Sequence, residues 1–282
     1  MPLRNISDTA LWVAVYRADE TERADAIFID KYARSLAGNR GESIVQAMQN
    51  GRKNSWSFVA RTYLFDKIIQ ETLKNGVQQV INLASGLDTR PYRLELPSQL
   101  KWIDVDLTEI INYMDAEMAG IVPVCEVERI ALDLSLRTER RKLFESLAAR
   151  KLKTLVVAEG LIGYLSEKDA STLSYDLSHT LSFDFFLLDL MSPGILPLIN
   201  AEMGLLLIDA NSSLVFAPEE GEDFFRLFGW NPVASHSKFK TAALLNRLPD
   251  SLLQYANMPE PDGPKGNFPW SGVCLFNNIL FR

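Results

Sequence analysis

The chain is poor in the residues that most readily announce a chemistry. Among 282 residues it has 2 cysteines and 2 histidines. Cys125 and Cys274 lie far apart in apolar, strand-like stretches and belong to no CxxC or zinc spacing. Buried free thiols are expected, a disulfide scaffold is not indicated, and a reducing, cytoplasmic setting fits. His179 falls late in a helical pattern and His236 near a late strand; they form no recognisable pair, so no imidazole base is assigned. Positive charge is not in excess. The 29 Lys+Arg against 36 Asp+Glu leave a net charge of −7, which argues against a nucleic-acid or anionic-membrane partner. The greasiest region, "FDFFLLDLMSPGILPLINAEMGLLLIDA", is broken by Asp184, Asp189, Pro193, Pro197 and Glu202, so it fails as a membrane span. The opening "MPLRNISDTALWVAVYRADE" has no basic segment followed by a continuous apolar core, and no secretory signal is read there. Neither GxGxxG nor GxxxxGK[ST] occurs, which removes the usual pyrophosphate cradle and the P-loop.

What the chain does have is a rhythm of short apolar runs and helical patterns. "QQVINLA", "LKWIDVD", "RIALDL", "KTLVVAE" and "SFDFFLLDL" read as five strands. Helical patterns at Leu107–Met118, Thr138–Ala149 and Glu167–Leu181 fall between them, the last behind the candidate cap Ser166. A longer helical pattern, "WSFVARTYLFDKIIQETLK", precedes the first strand and is stopped by Asn75-Gly76. Residues 8–38 look helical with turns, and Gly38 to Gly51 looks less regular. The alternation predicts an α/β fold, a doubly wound and mostly parallel sheet covered on both faces. After residue 190 the rhythm breaks. "EEGEDFFRLFGW" and "KFKTAALLNRL" read as helices, and "NPVASHS" and "VCLFNNILF" as late strands able to pair antiparallel at one edge.

In such a sheet ligands bind outside the carboxyl ends of the strands. The turn Ala84-Ser85-Gly86 follows the first strand there, and its low side-chain bulk lets backbone approach a ligand. Asp106 ends the second strand about twenty residues further on, where an acid can accept two hydrogen bonds from a ribose diol. Asp104 shares its side of the strand by period two and is a supporting or partly buried residue. Asp133, with Leu134 beside it, ends the third strand, suited to an adenine amine and ring; Glu159 ends the fourth. Arg61, in the helix before the first strand, could hold a carboxylate. A ribose, an adenine and an amino-acid tail without a pyrophosphate describe S-adenosyl-L-methionine. A nicotinamide oxidoreductase would share the sheet and the ribose acid but lacks its phosphate turn here.

The stretches "FVARTYLFD", "VINLASGLDTRPYRL", "WIDVDLTEI", "RIALDL" and "VVAEGLIGYLS" occur in the order and spacing of a known family. The chain resembles the leucine carboxyl methyltransferase / polyketide O-methyltransferase-like family, closely over roughly residues 8–190. The resemblance implies a class I methyltransferase, Rossmann-like, with an antiparallel C-terminal strand. It implies a single domain over 1–282, with an N-terminal helical cap or lid over 1–55 and a substrate-covering insertion near 190–215. By motif, Arg61 would hold the methionine carboxylate, Ala84 and Gly86 would line the turn, and Asp106 would bind the ribose. Asp133 and Leu134 would contact adenine, and Glu159 would stand beside the methionine moiety. Tyr164 would lie near cofactor or substrate, while Asp88, Thr89 and Arg90 would brace the cofactor loop. Two positions depart from the family pattern: Ala84 stands where glycine is common, and Lys31 follows Asp30 where proline is common.

The implied reaction is O-methylation, an in-line displacement in which alignment and exclusion of water do most of the work. A carboxylate acceptor needs no base, whereas a hydroxyl or phenol profits from one; no catalytic residue and no metal ligand is named. A small natural-product-like acceptor is preferred to a protein C-terminus. A protein that binds the cofactor without turnover is the alternative from another class.

Overall fold

The computed structural model describes residues 8–48, 51–200 and 213–280. Two helices, α1 (Asp8–Thr21) and α2 (Ala33–Ala47), precede a long α3 (Ser55–Leu73). Strands and helices then alternate: β1 (Gln79–Leu83), the short α4 (Arg90–Arg93), β2 (Lys101–Asp106), α5 (Thr108–Glu117), β3 (Glu126–Ala131), α6 (Arg137–Ala148), β4 (Thr154–Ala158), α7 (Glu167–Ser178) and β5 (Phe183–Met191). The last part holds β6 (Trp230–Ser237), α8 (Lys238–Leu244), α9 (Leu253–Asn257) and β7 (Ser271–Asn278).

The seven strands form one sheet in the order β3-β2-β1-β4-β5-β7-β6. Pairings from β3 through β5 are parallel, while β7 runs antiparallel to both β5 and β6. The order reverses between β1 and β4, which makes their carboxyl ends the switch point where a crevice opens. β1 and β4 are buried at every residue, as expected for central strands covered on both faces. Period two divides them. Ile81 and Val156 pack into the core beneath α6 and α7, and Val80 and Leu155 into the one beneath α3. The edge strand β6 is half polar and broken by an irregularity between Pro232 and Ala234, devices that discourage further strand addition.

Three expectations need correction. The third strand begins at Glu126 and ends at Ala131, not at Leu134. As an edge strand its burial alternates, so the apolar run in the sequence marks its wrong half, and Asp133 lies two residues beyond it. The stretch from Gly38 is helical through Ala47, with a kink at Gly38; Ile44 and Val45 pack against Trp12, Val15 and Tyr16 of α1. "EEGEDFFRLFGW" forms a 3₁₀ segment, Gly221–Phe228, closed by Gly229 at φ +86°. The cap over 1–55 is described from residue 8 onward without 49–50, and much of the 190–215 segment, residues 201–212, lies outside the described residues. No described helix is long and apolar enough to cross a membrane.

Phe186 of β5 lies opposite Phe276 of β7 and touches Phe225 and Trp230, and its side chain is wholly buried. This aromatic knot ties the reversed strand to the parallel sheet. Phe186→Ala should lower unfolding stability by about 3–5 kcal/mol in urea titrations; a loss under 1 kcal/mol would mean that the reversed strand is held elsewhere.

Candidate functional site

A cavity of about 640 Å³ opens over the carboxyl ends of β1, β2 and β4. Its floor is the turn after β1. Ala84 and Gly86 both have left-handed backbone, with φ +51° and +55°. For alanine that conformation costs roughly 1–2 kcal/mol, the physical reason a glycine would suit position 84. Gly86 donates its N–H to Asp106 Oδ2 at 2.7 Å, and Leu107 N–H reaches Oδ1 at 2.7 Å. One carboxylate thus ties the turn to the tip of β2 and still has lone pairs facing the cavity. Burial raises its pKa, against these two backbone donors. A Cβ placed on Gly86 would lie 3.3 Å from the Cβ of Ala10, so α1 roofs the turn closely.

The far wall is made of paired charges. Glu159, just beyond β4, accepts from Arg61 Nε at 3.0 Å and pairs with Arg90 Nη2 at 2.7 Å. Burial acts to raise its pKa, but Arg90 and Arg61 outweigh it and hold the carboxyl at about 2. Arg61 Nη1 also reaches Asp189 Oδ2 at 3.3 Å, and Asp189 Oδ1 accepts from Gly160 N–H at 2.6 Å. Gly160 has φ +67°, and a Cβ there would sit 3.1 Å from Arg61 Nη1. Only glycine lets the chain turn so close to the guanidinium. Arg90 bonds Asp66 Oδ1 at 2.6 Å and Asp88 Oδ2 at 2.8 Å. The Asp88-Thr89-Arg90 stretch is thereby a brace: Thr89 Oγ1 donates to Asp30 Oδ2 at 2.7 Å.

The sequence-derived candidates fall into two groups. Arg61, Ala84, Gly86, Asp88, Arg90, Asp106, Asp133, Leu134, Glu159 and Tyr164 all line this cavity. Asp133 does so from an exposed turn, where its Oδ1 accepts from Ser135 N–H at 2.9 Å. Asp104 does not line it. It lies 2% exposed behind the site, accepting from Trp102 Nε1 at 2.8 Å and Asn82 Nδ2 at 3.1 Å on the same oxygen. Lys31 is exposed, near the ring of Tyr32, while the neighbouring Asp30 is buried against Arg17 at 2.8 Å. His179 stacks on Tyr175 and His236 stands exposed on β6, both away from the cavity.

Reading the sequence missed Arg17, whose Nη2 donates to Leu87 O at 2.5 Å and which lines the cavity. It also missed Asp189 and Lys238. An acid near the carboxyl end of the apolar fifth strand was a usable signal for Asp189, by the logic applied to Asp106 and Glu159. Lys238 carried no signal, because only the packing of α8 buries it.

The family comparison decides the kinship. The leucine carboxyl methyltransferase family model matches residues 10–176. The chain belongs to that family. Among curated relatives of this leucine carboxyl methyltransferase family member, a protein of Saccharopolyspora erythraea is 33% identical over 182 residues, 60% of this chain and 63% of that one. One of Mycobacteroides abscessus is 29% identical over 190 residues, 61% of each. Both bear the name "Putative S-adenosyl-L-methionine-dependent methyltransferase". The match spans less than two thirds of their length. A solved methyltransferase structure from Thermobifida fusca, described as putative, has TM-score 0.59 at 14% identity, covering 99% of this chain and 96% of that one. A solved S-adenosylmethionine-dependent methyltransferase of Anabaena variabilis has TM-score 0.51 at 12% identity, covering 78% and 85%. The shared fold is the class I methyltransferase sheet.

Asp104 supplies a test of the support behind the site. Burial, then the charge of Asp88, pushes its pKa up to about 7. An unfolded aspartate titrates near ~4. The folded state therefore holds an extra proton between these values, and the stability this group contributes is lost as pH rises through about 7. Asp104→Asn keeps an oxygen for Trp102 and Asn82. It should raise stability above neutral pH by on the order of 1–3 kcal/mol and flatten that slope. A pH-stability profile identical to that of the parent protein would show that Asp104 is ionised in the fold.

Proposed function

We propose that the protein is an S-adenosyl-L-methionine-dependent O-methyltransferase acting on a small molecule. The carrying observation is that the strand-tip acids, the low-bulk turn and Arg61 all open on one cavity. Its volume of about 640 Å³ is in the range of small-molecule sites. The residues fit the cofactor. Asp106 offers its remaining lone pairs to a ribose diol beside a turn whose side chains cannot block the sugar. Asp133 and Leu134 offer an acceptor and an apolar face for adenine. Glu159 and Arg61 flank the methionine end, the acid for its ammonium and the guanidinium for its carboxylate. When bound, that cofactor supplies an electrophilic methyl group. The residues' own task is to orient it, exclude water and hold the acceptor in line. The names borne by the curated relatives support the same reading. A net charge of −7 offers no electrostatic capture of an acidic protein tail, which favours a small acceptor over a polypeptide C-terminus.

Two variants test the cofactor assignment by calorimetry with S-adenosylhomocysteine. Asp106→Ala should weaken binding about tenfold or more, the worth of one or two charge-assisted bonds; unchanged affinity in a folded variant rejects the ribose role. Arg61→Lys keeps the charge that Glu159 and Asp189 require but loses the planar fork. It should weaken S-adenosylhomocysteine binding several-fold and adenosine binding little; equal losses would place Arg61 outside the amino-acid end.

A further inference from the structure

Behind the Arg61 wall lies a second, smaller chamber of about 120 Å³. It shares Trp12, Phe58, Arg61, Gly160 and Tyr164 with the large cavity, so these residues form a partition that both spaces touch. Beyond it Trp56, Met191 and Ile195 give the chamber an apolar side, while Asn54, Ser57, Asp189, Lys238 and Ser271 bring polar groups to it. Within the 16 residues that line the chamber, Lys238 supplies the one amine. Lys238 is 7% exposed and begins α8. Trp12 is buried too, and its indole N–H has no hydrogen-bond partner among the described residues.

We propose that this chamber is the acceptor pocket and that Lys238 is the proton acceptor for a phenol-like hydroxyl on a ring-sized apolar body. The inference rests on the cofactor reading above and narrows it. A chamber of this volume is comparable to engineered apolar cavities of about 150 Å³ that take up benzene, so one ring fills it. The apolar side accepts a ring, while the unpartnered Trp12 N–H and the Lys238 amine, both on residues of the lining, are a donor and an acceptor available to its hydroxyl.

The choice of hydroxyl over carboxylate follows from charge. A carboxylate acceptor is already ionised and has no proton for the Nζ lone pair to take, so an amine placed here has a task only with a hydroxyl. A neutral amine beside a hydroxyl takes up the proton that the oxygen must lose. The O–H proton passes to the Nζ lone pair, and the O–CH₃ bond forms as the S–CH₃ bond breaks. The sulfonium charge is thereby replaced by an ammonium charge, and the products are the methyl ether, a neutral thioether and protonated Lys238, which returns its proton to water. The groups around Lys238 suit that cycle. Burial and then Arg61 of α3 favour the free amine, while Asp189 of β5 and Glu159 beyond β4 favour the ammonium once it forms, and the amine is brought down to about 8. Tyr164, from the turn after β4, is held protonated up to about 12 by burial and does not compete for the proton. Ser271 of β7 completes the polar lining on that side.

The test uses para-nitrophenol, which is colourless when protonated and yellow as the phenolate. The full chain is saturated with S-adenosylhomocysteine at a mildly acidic pH where the free dye is mostly protonated. Wild type should bind the dye and turn it yellow, because the bound pair rests with its proton on Nζ and the dye oxygen as the phenolate. Lys238→Met, an apolar replacement of similar length, should lose the colour while keeping its affinity for S-adenosylhomocysteine. Gly163→Leu should block dye binding with the same retention, since a Cβ there already meets Leu214 and Met191 at 3.0 Å inside the chamber. With S-adenosylmethionine, kcat/KM on substituted phenols should rise with pH through about 8 and fall roughly a hundredfold or more in Lys238→Met. A colourless bound dye, the same colour in Lys238→Met, or equal methylation of benzoate or a peptide C-terminus by wild type and Lys238→Met overturns the proposal. If S-adenosylhomocysteine does not bind wild type, the cofactor reading itself falls and this inference with it. If it binds and only the dye result fails, the cofactor reading stands without Lys238.

Discussion

A chain of alternating buried charges governs the shape of the site. Arg17 pairs with Asp30, Asp30 faces Arg93, Arg93 and Arg90 share Asp66, Arg90 and Arg61 share Glu159, and Arg61 ends on Asp189. Asp88 braces Arg90 from the side. Removing one member of a buried pair leaves a charge with no compensation, at a cost of about 3–5 kcal/mol, so the set persists only as a whole. Its members come from α1, the loop before α2, α3, α4 and its preceding turn, the end of β4 and β5. Charge pairing therefore fastens the N-terminal helices onto the sheet rim, and the rim keeps its cavity because these side chains hold its walls apart.

The backbone of the rim turns left-handed where the walls come closest. Ala84 and Gly86 carry left-handed backbone in the turn, and Gly160 passes within contact of the Arg61 guanidinium. At Ala84 this is strain, which survives only where the surroundings overdetermine it. Here Asp106 pins the turn through Gly86, and Asp189 pins Gly160. Both pins are carboxylates at or near strand ends. In the functional reading proposed above, Asp106 therefore has two tasks, shaping the loop and facing the ligand.

The two cavities meet at Arg61 and Tyr164, with Trp12 of α1 on the boundary of both. That arrangement makes α1 more than a cover. One helix contributes to the roof of the nucleoside-sized space and to the wall of the ring-sized one, so cofactor and acceptor would be enclosed by the same element. Water exclusion and alignment would then follow from a single packing interface.

The sequence by itself determined the alternation of elements, the strand tips that carry Asp106 and Glu159, and the family blocks. Strand burial on both faces and helix periodicity are local signals, and an acid ending an apolar run is visible as such. It misplaced β3, because an edge strand alternates and loses its apolar signature. It placed Asp104 and Asp106 on one side of one strand, preferring Asp106 as the final acid and leaving Asp104 as a supporting or partly buried residue. Tertiary packing separates them, since Asp104 is covered by Trp102 and Asn82 while Asp106 meets the turn. The partnership of Asp189 with Arg61 spans 128 positions, and Lys238 becomes buried only when α8 docks behind the rim. Such long-range juxtapositions leave no local periodicity, which is why only the folded chain decided the charge network and the chamber beyond it.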